Sequence, residues 1–150
     1  MPIKIAVVER RRPCGILKLL RMAYVCMSCN TPPSLFKVGE YIEAFNEMTE
    51  QELPCGPIFQ STGLLKHIQK RHPGQEGNLE HVPEVLAHPD YVGRNPNEPN
   101  SVEFVKILQA NVMVCVKLDM NDGYFFVASV FEITTAKLER RIHSKRLRKY

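Results

Sequence analysis

Apolar residues recur along the chain with two different periods. In the first half they return every three to four positions, as on one face of a helix. Tyr41, Phe45 and Met48 carry this period through Val38–Met48. The pattern therefore predicts a helix over that segment.

A second helix is predicted over Leu64–Arg71, where the apolar residues again follow the helical period. Ser61 and Thr62 precede it and are candidates for its N-cap. Pro73 predicts its end, because proline disfavours helix in the residue before it. A further short helix is predicted from Asn78 to His88.

The period changes to that of β-strands in the second half, which is rich in Val, Ile and Phe. Three strands are predicted, at Val102–Leu108, Val112–Leu118 and Tyr124–Ile133. The turn Asn121-Asp122-Gly123 favours a hairpin between the last two. A basic helix from Thr134 or Thr135 to Arg148 closes the chain. Helices followed by an antiparallel sheet are typical of the α+β class.

The break at Asn30-Thr31-Pro32-Pro33 divides the chain into an N-terminal extension, 1–35, and one domain, 36–150. No apolar run approaches the roughly 18 residues that a membrane span needs. The apolar start precedes its arginines, unlike a secretory signal. Five irregularly spaced cysteines argue against a disulfide framework. A reduced, cytoplasmic protein is expected.

Charge is distributed unevenly although the net charge is only +4. Residues 1–21 carry about +5, residues 137–150 about +6, and the segment between them about −7. Basic ends suggest contact with a polyanion, most readily a nucleic acid. Terminal charge runs that are simply solvated explain the same pattern, and both interpretations stay open.

His67 and His72 form the most informative pair of titratable residues. Histidine titrates near neutral pH and so serves general acid–base chemistry. Five residues on a continuous helix turn two side chains about 140° apart. The rings meet only if His72 lies beyond the helix end, as Pro73 favours. The alternative is a polar His67 on the helix surface and a His72 that caps the helix.

Cys26 and Cys29 form a CxxC motif, which with Cys14 and Cys55 could hold zinc. His67 and His72 are other possible ligands. The other cysteines are isolated, so the signal is weak. Cys115 lies in a predicted strand and is expected in the core.

Lys117 and Ser129 interrupt the apolar strands. Residues two apart on a strand share a face, which predicts one row of Val127, Ser129 and Phe131. A hydroxyl and a neighbouring lysine suit a phosphate-binding cleft. The alternative is an ordinary solvent-exposed sheet face.

Several segments taken in order resemble the phage-associated barnase–EndoU–colicin–RelE-like nucleases. They are QSTGLLKHIQKRHP, EVLAHPDYVGRNP, VEFVKILQ and VCVKLDMNDGYFFVASVFEIT. The resemblance covers roughly Phe36 to Tyr150. It implies an α+β fold in which N-terminal helices pack on an antiparallel sheet of about four strands, with metal-independent ribonuclease activity and no cofactor. The family's motif positions fall on His67, His72, Arg94 and Ser129.

These residues suggest roles in RNA cleavage. One histidine serves as base and the other as acid, Arg94 or Lys117 holds the phosphate, and Ser129 donates a hydrogen bond. Basic residues near both helices are expected to hold the RNA backbone; they are Lys70, Arg71, Arg140, Arg141, Lys145 and Arg146.

The expected partners are RNA, with tRNA as one candidate, and an immunity or antitoxin protein of the kind that toxins require. No membrane partner is expected. One alternative is a non-catalytic nucleic-acid-binding module with zinc at Cys26 and Cys29. Another is a phage-borne interaction domain with a degenerate site, in which the histidines lie apart from Lys117, Arg94 and Ser129.

Overall fold

The computed structural model describes residues 35–150. Within that range the chain forms four α-helices, one 3-10 helix and seven β-strands. Cys26, Cys29 and almost all of the proposed N-terminal extension lie outside the described residues. The domain boundary and the zinc alternative therefore stay predictions.

The strands are β1 (Leu35–Tyr41), β2 (Gly56–Ser61), β3 (Tyr91–Gly93), β4 (Ser101–Ile107), β5 (Asn111–Leu118), β6 (Phe125–Ile133) and β7 (Leu147–Lys149). The helices are α1 (Glu43–Thr49), α2 (Leu64–Arg71), α3 (Val82–Ala87) and α4 (Thr135–His143), and the 3-10 helix covers Glu76–His81.

The seven strands of the described region form one mixed sheet in the order β1-β2-β6-β5-β4-β3-β7. β2 and β6 run parallel and the other neighbours run antiparallel. The predicted α+β class is confirmed, and the three predicted strands correspond to β4, β5 and β6. The prediction of about four strands, all antiparallel, is wrong. Strands β1, β2, β3 and β7 are not among the three predicted strands. All of them except β1 are six residues long or shorter.

The helix predicted over Val38–Met48 is wrong in its first half, which is strand β1. Val38 and Tyr41 are both buried although three residues apart. The pairing of β1 with β2 shifts register between Lys37 and Gly39. Such a bulge lets two residues of opposite parity face the core. The bulged strand therefore imitates a helical spacing, and only α1 remains helical.

The helix predicted over Leu64–Arg71 is confirmed as α2. Its N-cap is Gly63, whereas Ser61 and Thr62 were predicted; Ser61 Oγ accepts a hydrogen bond from the Gly63 N–H at 3.1 Å. The segment predicted as one helix from Asn78 is split into the 3-10 helix and α3. Proline lies in the first turn of α3, a position that suits its fixed φ.

The predicted basic C-terminal helix is shorter than expected, because α4 ends at His143. Thr134 caps it, accepting from the Lys137 N–H at 3.3 Å. Lys145 then takes a left-handed φ of 59°, which reverses the chain. The following residues form β7 and pair with β3. No helix within residues 35–150 is long and apolar enough to cross a membrane.

Helices cover the two faces of the sheet unequally. Residues of α1, α2 and α3 pack in one large apolar cluster with the inner side chains of the strands. On the other face, Leu138 of α4 packs with Val105, Met113 and Ile133. We call this second face the α4 face. Cys115 also packs against this cluster. The half of the face around Lys117 and Phe126 is partly exposed, and we call it the open half.

α2 lies along the edge of β6. The pairing of β2 with β6 is limited to Ile58–Phe125 and Phe59–Phe126, so the rest of that edge has no strand neighbour among residues 35–150. α2 packs beside it. Gln75 Oε1 accepts a hydrogen bond from the Glu132 N–H at 2.7 Å. The end of α2 is thereby fixed next to the α4 face.

Candidate active site

His72 lies where α2 ends, and its ring reaches the α4 face. The helix stops at Arg71, as Pro73 predicts. The His72 N–H still donates to the Ile68 carbonyl at 2.6 Å. Its imidazole stacks on Phe131, with ring centroids 4.6 Å apart and planes at 19°. Because Phe131 packs against the α4 cluster, this contact places the ring at the border of that face.

The environment of His72 favours its uncharged form. Burial lowers the pKa of His72, and the positive charges of His67 and Arg71 lower it further. His67 and His72 therefore lie close enough for their charges to interact, although His67 is exposed on the helix. An imidazole that is uncharged at neutral pH can accept a proton from a substrate.

Ser129 lies two residues before Phe131 on β6 and shares its face. The pairing of β5 with β6 shifts register after Cys115, where Ser129 is its partner and Val127 pairs with Val116. This bulge turns Val127 toward the opposite, buried face. The predicted row of Val127, Ser129 and Phe131 is therefore wrong for Val127 and correct for the other two.

The Ser129 hydroxyl is an unusual feature of this face. Its Oγ is buried and has no hydrogen-bond partner within residues 35–150. Buried polar atoms nearly always have one. The residue as a whole is partly exposed. A hydrogen bond from Ser129 to a bound group would therefore replace no protein hydrogen bond within the described region.

Lys117 lies two residues beyond Cys115 on β5 and projects from the same face as Ser129. A diagonal neighbour of this kind is about 7–8 Å away between Cα atoms. Its Nζ pairs with Glu98 Oε2 at 2.8 Å, and the two side chains are 40% and 47% exposed. An exposed pair of this kind contributes little to stability. Lys117 can therefore exchange Glu98 for a phosphate.

A buried carboxylate, Glu103, lies in the same row across the sheet. It pairs with Cys115, which in turn pairs with Ser129. Arg146 Nε donates to Glu103 Oε2 at 2.9 Å, and Arg146 Nη2 donates to Glu103 Oε1. Arg141 Nη1 lies 3.7 Å from Glu103 Oε2. Two guanidinium groups are thus held above one carboxylate on the α4 face.

Gly93 allows Arg146 to approach. A Cβ built on Gly93 would lie 1.8 Å from the Arg146 carbonyl oxygen. Any side chain at this position would push away the segment that leads into β7. Because Gly93 has no side chain, the segment that leads into β7 can pack against β3, and Arg146 can reach Glu103.

Arg94 lies away from the histidines. It follows β3. Two strands, β4 and β5, lie between β3 and β6, so β3 and β6 are about 14 Å apart across the sheet. Together with Glu50 and Glu98 it lines a cavity of about 400 Å³, and Glu98 is the ion-pair partner of Lys117. The structure therefore does not bring Arg94 together with His67, His72 and Ser129.

The predicted backbone-binding residues fall into two groups. Lys70 and Arg71 are exposed in the last turn of α2. The others belong to α4 and the segment after it, where Arg141 and Arg146 contact Glu103; they are Arg140, Arg141, Lys145 and Arg146. Both groups adjoin the α4 face.

Sequence reasoning missed Glu103 as a site residue. A single carboxylate inside the apolar segment Val102–Ile107 is the signal that points to it, because a buried charge needs a partner. Its partner, Arg146, is 43 residues away. Only the fold shows that the two meet.

One chemistry is disfavoured at this face, namely nucleophilic attack by the Cys115 thiol. Burial raises the pKa of the Cys115 thiol to about 12, so the thiol stays protonated and is a poor nucleophile. Within residues 35–150, no three His, Cys, Asp or Glu side chains are placed to hold a metal ion. The groups present are an imidazole, a hydroxyl, a lysine and two guanidinium groups, which suit a phosphodiester.

Comparison with known proteins gives one family. The model of the family described as phage-Barnase-EndoU-ColicinE5/D-RelE like nuclease3 matches residues 36–140. No curated protein and no solved structure matches the chain.

Proposed function

The chain belongs to the phage-Barnase-EndoU-ColicinE5/D-RelE like nuclease3 family, and from that premise we propose that it is a metal-independent RNA endonuclease. Membership of this family indicates a nuclease-like domain whose substrate is a nucleic acid. The proposal adds that the substrate is RNA and that His72 and His67 carry the proton transfers.

One observation carries this proposal. His72, Ser129, Lys117 and the Arg146–Glu103 pair lie on one face of the sheet, and His67 lies near His72 on α2. Cleavage of RNA without a metal needs a base, an acid and cations for the charge that develops on phosphorus. This face, together with His67 on the adjoining α2, offers candidates for all three.

The reaction begins when a base takes the proton of the ribose 2′-hydroxyl. The 2′-oxygen forms a bond to the adjacent phosphorus, and the bond from phosphorus to the 5′-oxygen breaks. An acid protonates the departing oxygen. The products are a 2′,3′-cyclic phosphate and a 5′-hydroxyl.

We assign His72 as the base, because its lowered pKa keeps the imidazole uncharged at neutral pH. His67, which lies near it on α2, is assigned as the acid. Lys117 and Arg146 hold the phosphate oxygens, and Ser129 donates a hydrogen bond to one of them. Arg94 has no role in this assignment.

The test is cleavage of a labelled RNA in excess EDTA by the full chain. His72→Ala and His67→Ala are each expected to lower the rate by 10²- to 10⁴-fold, the usual range for general acid–base groups. His88→Ala is the matched control, because His88 is exposed on the surface after α3 and should leave the rate unchanged. Full activity of the double variant His67→Ala/His72→Ala would contradict the proposal.

A further inference from the structure

Three aromatic side chains lie together on the open half of the α4 face. The rings of Phe59 and Tyr124 are 6.1 Å apart at 77°, and those of Tyr124 and Phe126 are 6.2 Å apart at 57°. We call these three residues the aromatic trio. All are partly exposed, and within residues 35–150 they belong to neither buried cluster.

The strand register places the trio beside the candidate active site. Phe126 pairs with Phe59 on one side and with Lys117 on the other. Ser129 follows Phe126 on the same strand, with the bulge between them. Partly exposed rings thus adjoin the groups that are assigned to the phosphate.

The charges next to the trio select the kind of ligand. Lys37 is the cross-strand partner of Phe59, as Lys117 is of Phe126, so a lysine stands at each end of the row of rings. Both lysines pair with exposed carboxylates, Lys37 with Glu40 and Lys117 with Glu98, and the charges of Asp119 and Asp122 act on Tyr124. Exposed pairs are weak, so a phosphate can replace either carboxylate. Rings beside such lysines suit a strand whose phosphates are charged and whose bases are flat and apolar.

We propose that the aromatic trio is a base-stacking subsite and that the substrate is therefore single-stranded at the cleavage site. This inference rests on the proposed function and specifies its substrate. A base stacked on Phe126 places its own backbone next to Lys117 and Ser129. Bases inside a duplex are stacked on each other and do not reach the rings.

The natural chain contains no tryptophan, which permits a direct measurement. In the background His72→Ala, Phe126→Trp gives a full-length protein with one indole and no cleavage. A single-stranded RNA oligonucleotide should quench its fluorescence upon binding. The same RNA annealed to its complement, or carrying an abasic site at the cleavage position, should quench it much less.

Affinity provides the second measurement. Phe126→Leu in the same background is expected to weaken single-strand binding by about 5- to 100-fold, the range for loss of one stacked base. Phe36→Leu is the matched control. Phe36 is 46% exposed on β1, and its partner Gln60 neighbours Phe59, so it faces the opposite side of the sheet. Its replacement should change affinity less than twofold.

Three results would overturn the inference, namely absent quenching, equal affinity for single strand and duplex, or equal effects of Phe126→Leu and Phe36→Leu. The quenching and abasic experiments need no apolar truncation, so they decide the matter even if Phe126→Leu fails to fold. Cleavage in EDTA by the wild-type chain alongside such results would leave the proposed function intact. Stacking without any cleavage would support the subsite and contradict the proposed function.

Discussion

The pair Glu103–Arg146 fixes the geometry of the α4 face, and its strength can be measured. The carboxylate is 5% exposed and the guanidinium 23% exposed. Removing one partner of a buried pair costs about 3–5 kcal/mol, because the other charge is left without compensation. Here Arg141 remains 3.7 Å from Glu103 and compensates part of that charge. We therefore expect Arg146→Gln to lower the free energy of unfolding by about 2–3 kcal/mol.

A double-mutant cycle isolates the interaction. Urea unfolding of Glu103→Gln, Arg146→Gln, the double variant and the wild type should give a coupling free energy of about 2 kcal/mol. The exposed pair Lys117–Glu98 is the matched control, and its coupling should be about 0.2–1 kcal/mol. Equal coupling in the two cycles would refute the claim that Glu103 and Arg146 meet in a buried site.

Three further substitutions test other parts of the account. Gly93→Ala brings a Cβ within 1.8 Å of the carbonyl oxygen that crosses it, so we expect a loss of about 2–4 kcal/mol in urea unfolding and slower RNA cleavage. Gly77→Ala, with no atom within 4 Å, should do neither. Arg71→Gln removes a charge that lowers the pKa of His72; that pKa should rise, and the acid limb of the pH–rate profile should move to higher pH. Ser129→Ala removes a hydroxyl without a partner in the described region, so stability should hold or rise by up to about 1 kcal/mol while kcat falls.

Local sequence patterns predict those parts of the fold that depend on local physics. The long strands β4, β5 and β6 follow from their Val, Ile and Phe content, and α2 from its apolar period and Pro73. The bulge near Val38 is not visible locally, because a spacing of three is shared by a helix and a bulged strand. The strands β3 and β7 are three residues long and exist only through their pairing with each other and with β4.

The residues of the candidate site also divide into those that local sequence predicts and those that depend on the fold. His67, His72, Lys117 and Ser129 stand out as residue types in context. The structure places His72, Lys117 and Ser129 at the α4 face and His67 on the exposed surface of α2. Glu103 depends on a partner 43 residues away, which no local pattern contains. The resemblance suggests a site role for Arg94, but the order of the strands separates it from the histidines.

The most direct test of the central claim uses a DNA oligonucleotide with a single ribonucleotide. In excess EDTA, the full chain should cut it only after that residue and leave a 2′,3′-cyclic phosphate, identified by mass spectrometry. His72→Ala should leave the oligonucleotide intact under the same conditions. Cleavage of an all-deoxy strand at the same rate, or products with 5′-phosphates, would contradict a mechanism that begins at the 2′-hydroxyl.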